Sequence, residues 1–96
     1  MLGRLFGFPR GKPEGVLRGE VGGYLWEVRL SPGPTSYGLN PRTLYKGGGR
    51  VTRLALYQRL GASGLTRKVA VYDHGWRFGR RKFMGAIRRL LRDLGA

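Results

Sequence analysis

The spacing of apolar side chains predicts an antiparallel β-sheet over roughly residues 16–78 and one amphipathic helix near residues 80–94. In the segment 24–30 every second residue is apolar or aromatic, which is the period of a strand with one face towards the core. A β-favouring segment also runs over 16–20, and the Gly22-Gly23 pair between the two is typical of a hairpin turn. The residues expected to face the core are Tyr24, Trp26, Val28 and Leu30.

A second hairpin is predicted by two β-favouring segments, 50–58 and 68–73, on either side of a Gly/Ser turn at 61–64. The first of these segments is expected to be a central strand, because both of its faces carry apolar residues. Trp76 and Phe78 are expected to prolong the second segment. One face of the central strand should carry Leu54 and Leu56, and the other Val51, Ala55 and Tyr57.

The remaining segments are rich in glycine and proline. Residues 31–49 hold three prolines and five glycines, which predicts an extended loop with a short extended piece around Tyr37. Breakers also recur throughout residues 1–15 among three cations, so this segment is expected to be a basic, flexible arm preceding one domain at 16–96. The alternative is a strap held to the domain by Leu5, Phe6 and Phe8.

The C-terminal segment repeats its apolar residues with the period of an α-helix, and Gly95 should end it. We therefore expect an α+β fold: an antiparallel sheet of four to five strands, in two hairpins, with one C-terminal helix packed on one face. Edge strands of such a sheet are often covered by pairing, which predicts a homodimer. The apolar stripe comprises Phe83, Ile87, Leu90, Leu91 and Leu94.

The charge of the chain indicates a polyanionic partner. Nineteen Lys and Arg residues stand against five Asp and Glu, for a net charge of +14, and nucleic acid is the commonest partner of such proteins. Fifteen of the cations are Arg, which binds phosphate bidentately; an Arg-rich composition typical of some thermophiles is the alternative explanation. The proposed phosphate contacts are Arg80, Arg81, Lys82, Arg88, Arg89 and Arg92, assisted by Lys46, Arg50 and Arg77.

Three of these cations, Arg80, Arg81 and Lys82, stand at the predicted start of the helix. Cations oppose the helix dipole there, so their placement indicates an anion site rather than a contribution to stability. The alternative is a solvated basic face on a packing helix.

Several other chemistries are excluded or disfavoured by composition. Without cysteine and with one histidine, the chain offers neither disulfides nor a zinc site, and we expect no metal or cofactor. The run from Lys46 to Arg50 is basic and Gly-rich but precedes a strand, so it is no Walker motif; a basic loop touching a nucleic-acid backbone remains an alternative to a plain mobile loop. No stretch approaches the ~20 apolar residues of a membrane span, and no signal peptide is evident, so a cytoplasmic location is expected.

The segment 72–76, Tyr-Asp-His-Gly-Trp, allows three interpretations. In the structural one, Asp73 accepts backbone N–H groups in a turn, Gly75 takes a positive φ and Trp76 covers the core under the helix. In the second, exposed Tyr72, His74 or Trp76 rings stack on bases beside neighbouring arginines. In the third, Tyr72, Asp73 and His74 serve a small hydrolase, although adjacent strand residues point to opposite faces.

Three motifs in this order are similar to those of a family of small bacterial and phage proteins of unknown function. They are Ser36-Tyr37-Gly38-Leu39, Gly49-Arg50-Val51-Thr52-Arg53-Leu54 and Tyr72-Asp73-His74-Gly75-Trp76, and the resemblance covers residues 14–78. The family pattern has Arg where this chain has His74, which counts against an essential histidine base. The resemblance implies the fold and no activity.

These observations favour a non-enzymatic module that contacts nucleic-acid phosphates. The alternatives are a structural or protein-interaction domain that makes no specific use of its charge, and the small hydrolase.

Overall fold

Five antiparallel strands follow one another in chain order across a single sheet in the computed structural model, which describes residues 15–95. One helix packs on one face, which confirms the predicted α+β class. Of the arm predicted at 1–15, residues 1–14 lie outside the described part, and Gly15 already belongs to the first strand. The elements are β1 (Gly15–Val21), β2 (Tyr24–Thr35), β3 (Gly49–Arg59), β4 (Thr66–Asp73), β5 (Trp76–Phe78) and α1 (Met84–Leu94).

The first hairpin is confirmed, together with the face predicted to meet the core. Gly22 and Gly23 have φ of 54° and 86°, and two positive φ values are the requirement of the type I′ turn that suits a right-twisted hairpin. Val28 is 1% exposed and Leu30 4%, whereas Tyr24 and Trp26 are partly buried and pack against the same cluster.

Strand β2 is longer than predicted, because it continues through two prolines to Thr35. Proline lacks the N–H that a ladder requires, so it is tolerated only where no partner strand needs that donor. Among residues 15–95, the pairing of β2 with β3 is interrupted between Leu30 and Thr35, so β3 does not require the missing N–H donors of Pro32 and Pro34. The prediction of a loop from residue 31 was wrong over 31–35.

Because of a β-bulge in β3, Val51 lies on the opposite face of the strand from the one predicted. Arg29 and Leu30 are consecutive, but their partners Arg53 and Val51 are separated by Thr52. The extra residue shifts the alternation, so Val51 joins Leu54 in the core instead of lying on the opposite face. The predicted central position of this strand is confirmed.

Strand β5 reverses direction and does not prolong β4. Tyr72 pairs with Trp76 and Val71 with Phe78, so the chain turns back at His74 and Gly75. His74 has a φ of 56°, a left-handed conformation in which histidine is enriched among non-glycine residues.

The segment 36–48, which we call the 36–48 loop, packs on the same core as α1. Its Leu39 and Leu44 side chains are 1% and 0% exposed. Tyr37 lies in a turn, so the extended piece predicted there is instead the bridge that Leu39 makes with Lys46 and Val51. The loop therefore supplies core residues.

Helix α1 begins at Met84, four residues later than predicted, because Gly79 and the turn after it separate the helix from β5. Gly79 has a φ of 88°, which a right-handed helix does not accept, and Phe83 N–H donates to its carbonyl at 3.2 Å. The apolar stripe and the left-handed cap at Gly95 are confirmed. No helix within residues 15–95 is long and apolar enough to cross a membrane.

Two glycines permit the close approach of the 36–48 loop to β3. A methyl group at Gly38 would overlap the carbonyl oxygen of Gly49, and one at Gly49 would overlap that of Leu39. Both obstacles are backbone atoms, so a side chain at either position would force the loop away from the strand.

Gly49→Ala is therefore expected to lower the free energy of unfolding by about 2 kcal/mol or more. Gly33→Ala is the matched control, since a methyl group there meets open space and Gly33 has no positive φ; its effect should stay within about 0.5 kcal/mol. Urea unfolding followed by tryptophan fluorescence measures both. Equal effects would show that the backbone contact does not constrain the loop.

Candidate nucleic-acid interface

Three side chains, which we call the loop clamp, fix the 36–48 loop by donating to its carbonyl groups. Trp76 Nε1 and Arg80 Nε both donate to the Leu44 oxygen, at 2.7 and 2.8 Å. Arg80 Nη2 donates to Thr43 O at 3.0 Å, and the Tyr72 hydroxyl to Tyr37 O at 2.7 Å. The Tyr72 and Trp76 rings pack edge to face, with 5.3 Å between their centres, so the two donor side chains support each other.

The loop clamp acts on a strained residue. Leu44 has a φ of 59°, a left-handed conformation that is a marked outlier for a bulky side chain and costs roughly 1–2 kcal/mol. Its side chain is fully buried, and its carbonyl oxygen accepts the hydrogen bonds from Trp76 and Arg80. Burial and hydrogen bonding together offset the strain.

The structural interpretation of residues 72–76 holds in part. Gly75 has a positive φ of 154°, and Trp76 packs against the core. Asp73 differs from the prediction, because its carboxylate accepts from Arg53 Nε at 3.2 Å and not from the turn. The turn is closed by the Asp73 and His74 N–H groups, which donate to Gly75 O and Thr52 O.

The arrangement also bears on the two other interpretations of this segment. Tyr72 is 0% exposed, so its ring is not available to bases, whereas His74 is exposed and its ring lies 4.4 Å from that of Tyr37. For a hydrolase, the three side chains have separate partners: Tyr72 binds Tyr37 O, Asp73 binds Arg53 and His74 contacts the Tyr37 ring. Across residues 15–95 there is no group of three or more His, Cys, Asp or Glu residues that could hold a metal.

The Gly-rich run after Lys46 does not form a phosphate cradle. Gly47 N–H donates to Gly38 O at 2.7 Å, Gly48 N–H to Thr35 O at 2.8 Å, and Gly49 N–H to Gly38 O at 3.4 Å. These amides are committed to the protein's own carbonyls. The run closes the 36–48 loop, and only the Lys46 side chain extends from it into solvent.

Four of the predicted phosphate contacts donate to backbone carbonyls of the protein itself. Arg80 belongs to the loop clamp, and Arg88 Nη1 donates to Arg42 O at 3.0 Å. Arg50 Nε donates to Ser31 O at 3.0 Å, and Arg77 Nη2 to Asp73 O at 3.3 Å. The anion site expected at the helix start is therefore not assembled as predicted, since the helix begins later and Arg80 points to the loop.

The other predicted cations are exposed. Their surface also includes a cation that the sequence did not indicate, Arg42. The hydrogen bond from Arg88 places exposed Arg42 beside the helix. The Asn40-Pro41 pair signals the turn that presents Arg42, but its proximity to the helix is a tertiary contact without a sequence signal. We call this surface the basic face: Arg42, Lys46, Arg81, Lys82, Arg88, Arg89 and Arg92.

The acidic residues are mostly on the other side of the molecule. On the sheet face opposite the helix, Arg18 pairs with Glu27 at 2.7 Å, Arg53 with Asp73 at 3.2 Å, and Arg59 with Glu20 at 2.8 Å. The hydrogen bond from Arg59, reinforced by its charge, lowers the pKa of Glu20. These pairs flank or line a shallow groove of about 430 Å³. Three sheet cations are thus paired with carboxylates, whereas none of these three ion pairs involves a cation of the basic face.

Comparison with protein-family models, curated proteins and solved structures finds no match to this chain. The resemblance to the bacterial and phage family stays a prediction. Its three motifs do meet in space: the Gly38 and Gly49 backbones are in contact, and Tyr72 binds Tyr37 O.

The structural role of Arg80 can be tested against its neighbour. Arg80→Lys should lower the free energy of unfolding by about 1–2 kcal/mol, because one ammonium group does not reproduce the two guanidinium contacts to Leu44 and Thr43. Arg81→Lys, at an exposed position, should change it by less than about 0.5 kcal/mol. Chemical unfolding measures both, and equal stability of the two variants would contradict the role of Arg80 in the loop clamp.

The loop clamp also predicts a loss of stability at alkaline pH. Burial raises the pKa of Tyr72 above its ordinary value of about 10, so the unfolded chain releases this proton first and stability declines as the pH rises past about 10. Tyr72→Phe should be less stable by about 1 kcal/mol at pH 8, with a smaller alkaline decline. Thermal unfolding from pH 8 to 11 tests this. Tyr24→Phe, outside the clamp, should keep the full decline.

Proposed function

We propose that the protein is a non-enzymatic, cytoplasmic binding module whose basic face contacts the phosphates of a nucleic acid. The observation that carries the proposal is the unequal pairing of cations with carboxylates on the two faces. Three of the five acidic residues form ion pairs on the sheet, whereas Asp93 is the acidic residue of helix α1 beside the cations. Among residues 15–95, the basic face therefore keeps more of its positive charge unpaired than the sheet face opposite the helix does.

The types and placement of the cations favour phosphate as the ligand. Arg89 and Arg92 are exposed on α1, and Arg81 precedes its first turn. Within residues 15–95 these three guanidinium groups make no hydrogen bond or ion pair, so their planar forks remain available for bidentate contact. Arg88 uses one nitrogen for Arg42 O, which fixes the edge of the surface where the helix meets the 36–48 loop.

The test compares two triple variants that lose the same net charge. Arg81→Gln, Arg89→Gln and Arg92→Gln remove cations from the basic face, and Arg29→Gln, Arg67→Gln and Lys68→Gln remove three from exposed sheet positions. If the basic face binds phosphates, the first set should reduce the slope of log affinity against log salt by about 2–3, and the second should leave it nearly unchanged. Fluorescence anisotropy with labelled oligonucleotides between about 50 and 200 mM salt measures the slopes.

Two results would overturn the proposal. Absence of retention at about 50 mM salt would mean that nucleic acid is not the partner. Equal effects of the two triple variants would mean that only the total charge matters, which would favour a domain without a specific use of its cations.

A further inference from the structure

An exposed aromatic ring lies within the basic face and rests on a fixed cation. Tyr45 is 57% exposed, although the residue before it is fully buried. The Arg80 guanidinium carbon lies 3.6 Å from the centre of the Tyr45 ring, in a cation–π arrangement that covers one side of the ring. The same guanidinium donates to Leu44 O and Thr43 O, so the cation under the Tyr45 ring is fixed by two hydrogen bonds.

A second exposed aromatic pair is fixed by the same loop clamp. The Tyr37 and His74 rings lie 4.4 Å apart with 60° between their planes, and Tyr37 is 38% exposed. Tyr72 holds the Tyr37 carbonyl and Trp76 holds that of Leu44, and the Tyr72 and Trp76 rings contact each other. Tyr45 and Tyr37 therefore lie on one loop that is anchored at two points of one cluster, and His74 contacts Tyr37 from the turn between β4 and β5.

We call these groups the aromatic platform: Tyr45 on Arg80, and Tyr37 with His74. Its chain neighbours carry positive charge, since Lys46 follows Tyr45 and Arg42 lies in the same loop beside Arg88. Interleaved aromatic rings and cations are the combination by which single-stranded nucleic acids are bound, through stacked bases and neutralised phosphates. Because the rings are already held in place in the folded protein, stacking on them loses little conformational freedom.

We infer that the aromatic platform stacks on unpaired bases, so that the ligand of the basic face is single-stranded nucleic acid. This inference rests on the proposed function and narrows its ligand. Bases within a duplex are already stacked on their neighbours, so a duplex would engage the basic face alone. The platform adds affinity only where a strand presents free base faces.

The experiment separates base stacking from phosphate contact with two strands of equal charge. One is an oligothymidylate of twenty nucleotides, and the other carries abasic sites at every position. At about 100 mM salt, the full-length chain should bind the oligothymidylate about tenfold or more tightly than the abasic strand, which corresponds to stacking of one or two bases. Anisotropy of a labelled strand gives both dissociation constants.

Variants at Tyr45 assign the preference to the platform. Tyr45→Leu should reduce the preference for bases several-fold and leave affinity for the abasic strand unchanged, whereas Tyr45→Phe should retain the preference because it keeps the ring face. Tyr57→Leu, on the opposite face of the sheet, is the matched control and should behave as the unmodified chain.

The outcomes distinguish this inference from the proposed function. If the unmodified chain binds both strands equally, the stacking inference is wrong and phosphate binding stands. If it binds neither strand at about 50 mM salt, the proposed function itself fails. A preference for bases that survives Tyr45→Leu would overturn the assignment to this ring, and tighter binding of a duplex would overturn the single-strand assignment.

Discussion

The hydrogen bonds from Trp76 and Arg80 to the Leu44 carbonyl are the constraint on which the packing of the 36–48 loop against the core depends. They act across more than thirty residues of sequence and hold a strained, left-handed residue whose side chain is fully buried. The core contact and the polar contact support each other. Without the two donors, the Leu44 carbonyl beside the core would be left unpaired. Without burial of the Leu44 side chain, the loop would not be held close enough to form these hydrogen bonds.

This arrangement makes the fold and the candidate site inseparable around Arg80. Its guanidinium holds two loop carbonyls and also supports the exposed Tyr45 ring. A cation that contributes to stability is therefore part of the surface on which stacking is inferred. For that reason a substitution at Tyr45, whose side chain makes no hydrogen bond of the clamp, is expected to change the inferred binding without changing the stability of the fold.

Periodicity predicted the elements well where side chains alternate regularly, as in β2 up to Leu30 and in the apolar stripe of α1. It failed at Thr52, because a bulge adds one residue without any local sequence signal and moves Val51 into the core. The sequence also did not show which cations are available to a ligand. Its composition gives their number, but Arg80 and Arg88 donate to carbonyls of the 36–48 loop, and that contact depends on the tertiary fold.

The placement of the acidic residues has an energetic consequence for the basic face. Cross-strand ion pairs such as Arg18 with Glu27 lie on the sheet, so they relieve little of the repulsion among cations at α1. The first helical turn has neither an acidic residue nor a side-chain cap, whereas Arg92 in the last turn is favoured by the helix dipole. The remaining repulsion lowers the stability of the free protein, and a polyanion on this face would remove it. Binding and stability would then be linked, since whatever binds only the folded chain stabilises it.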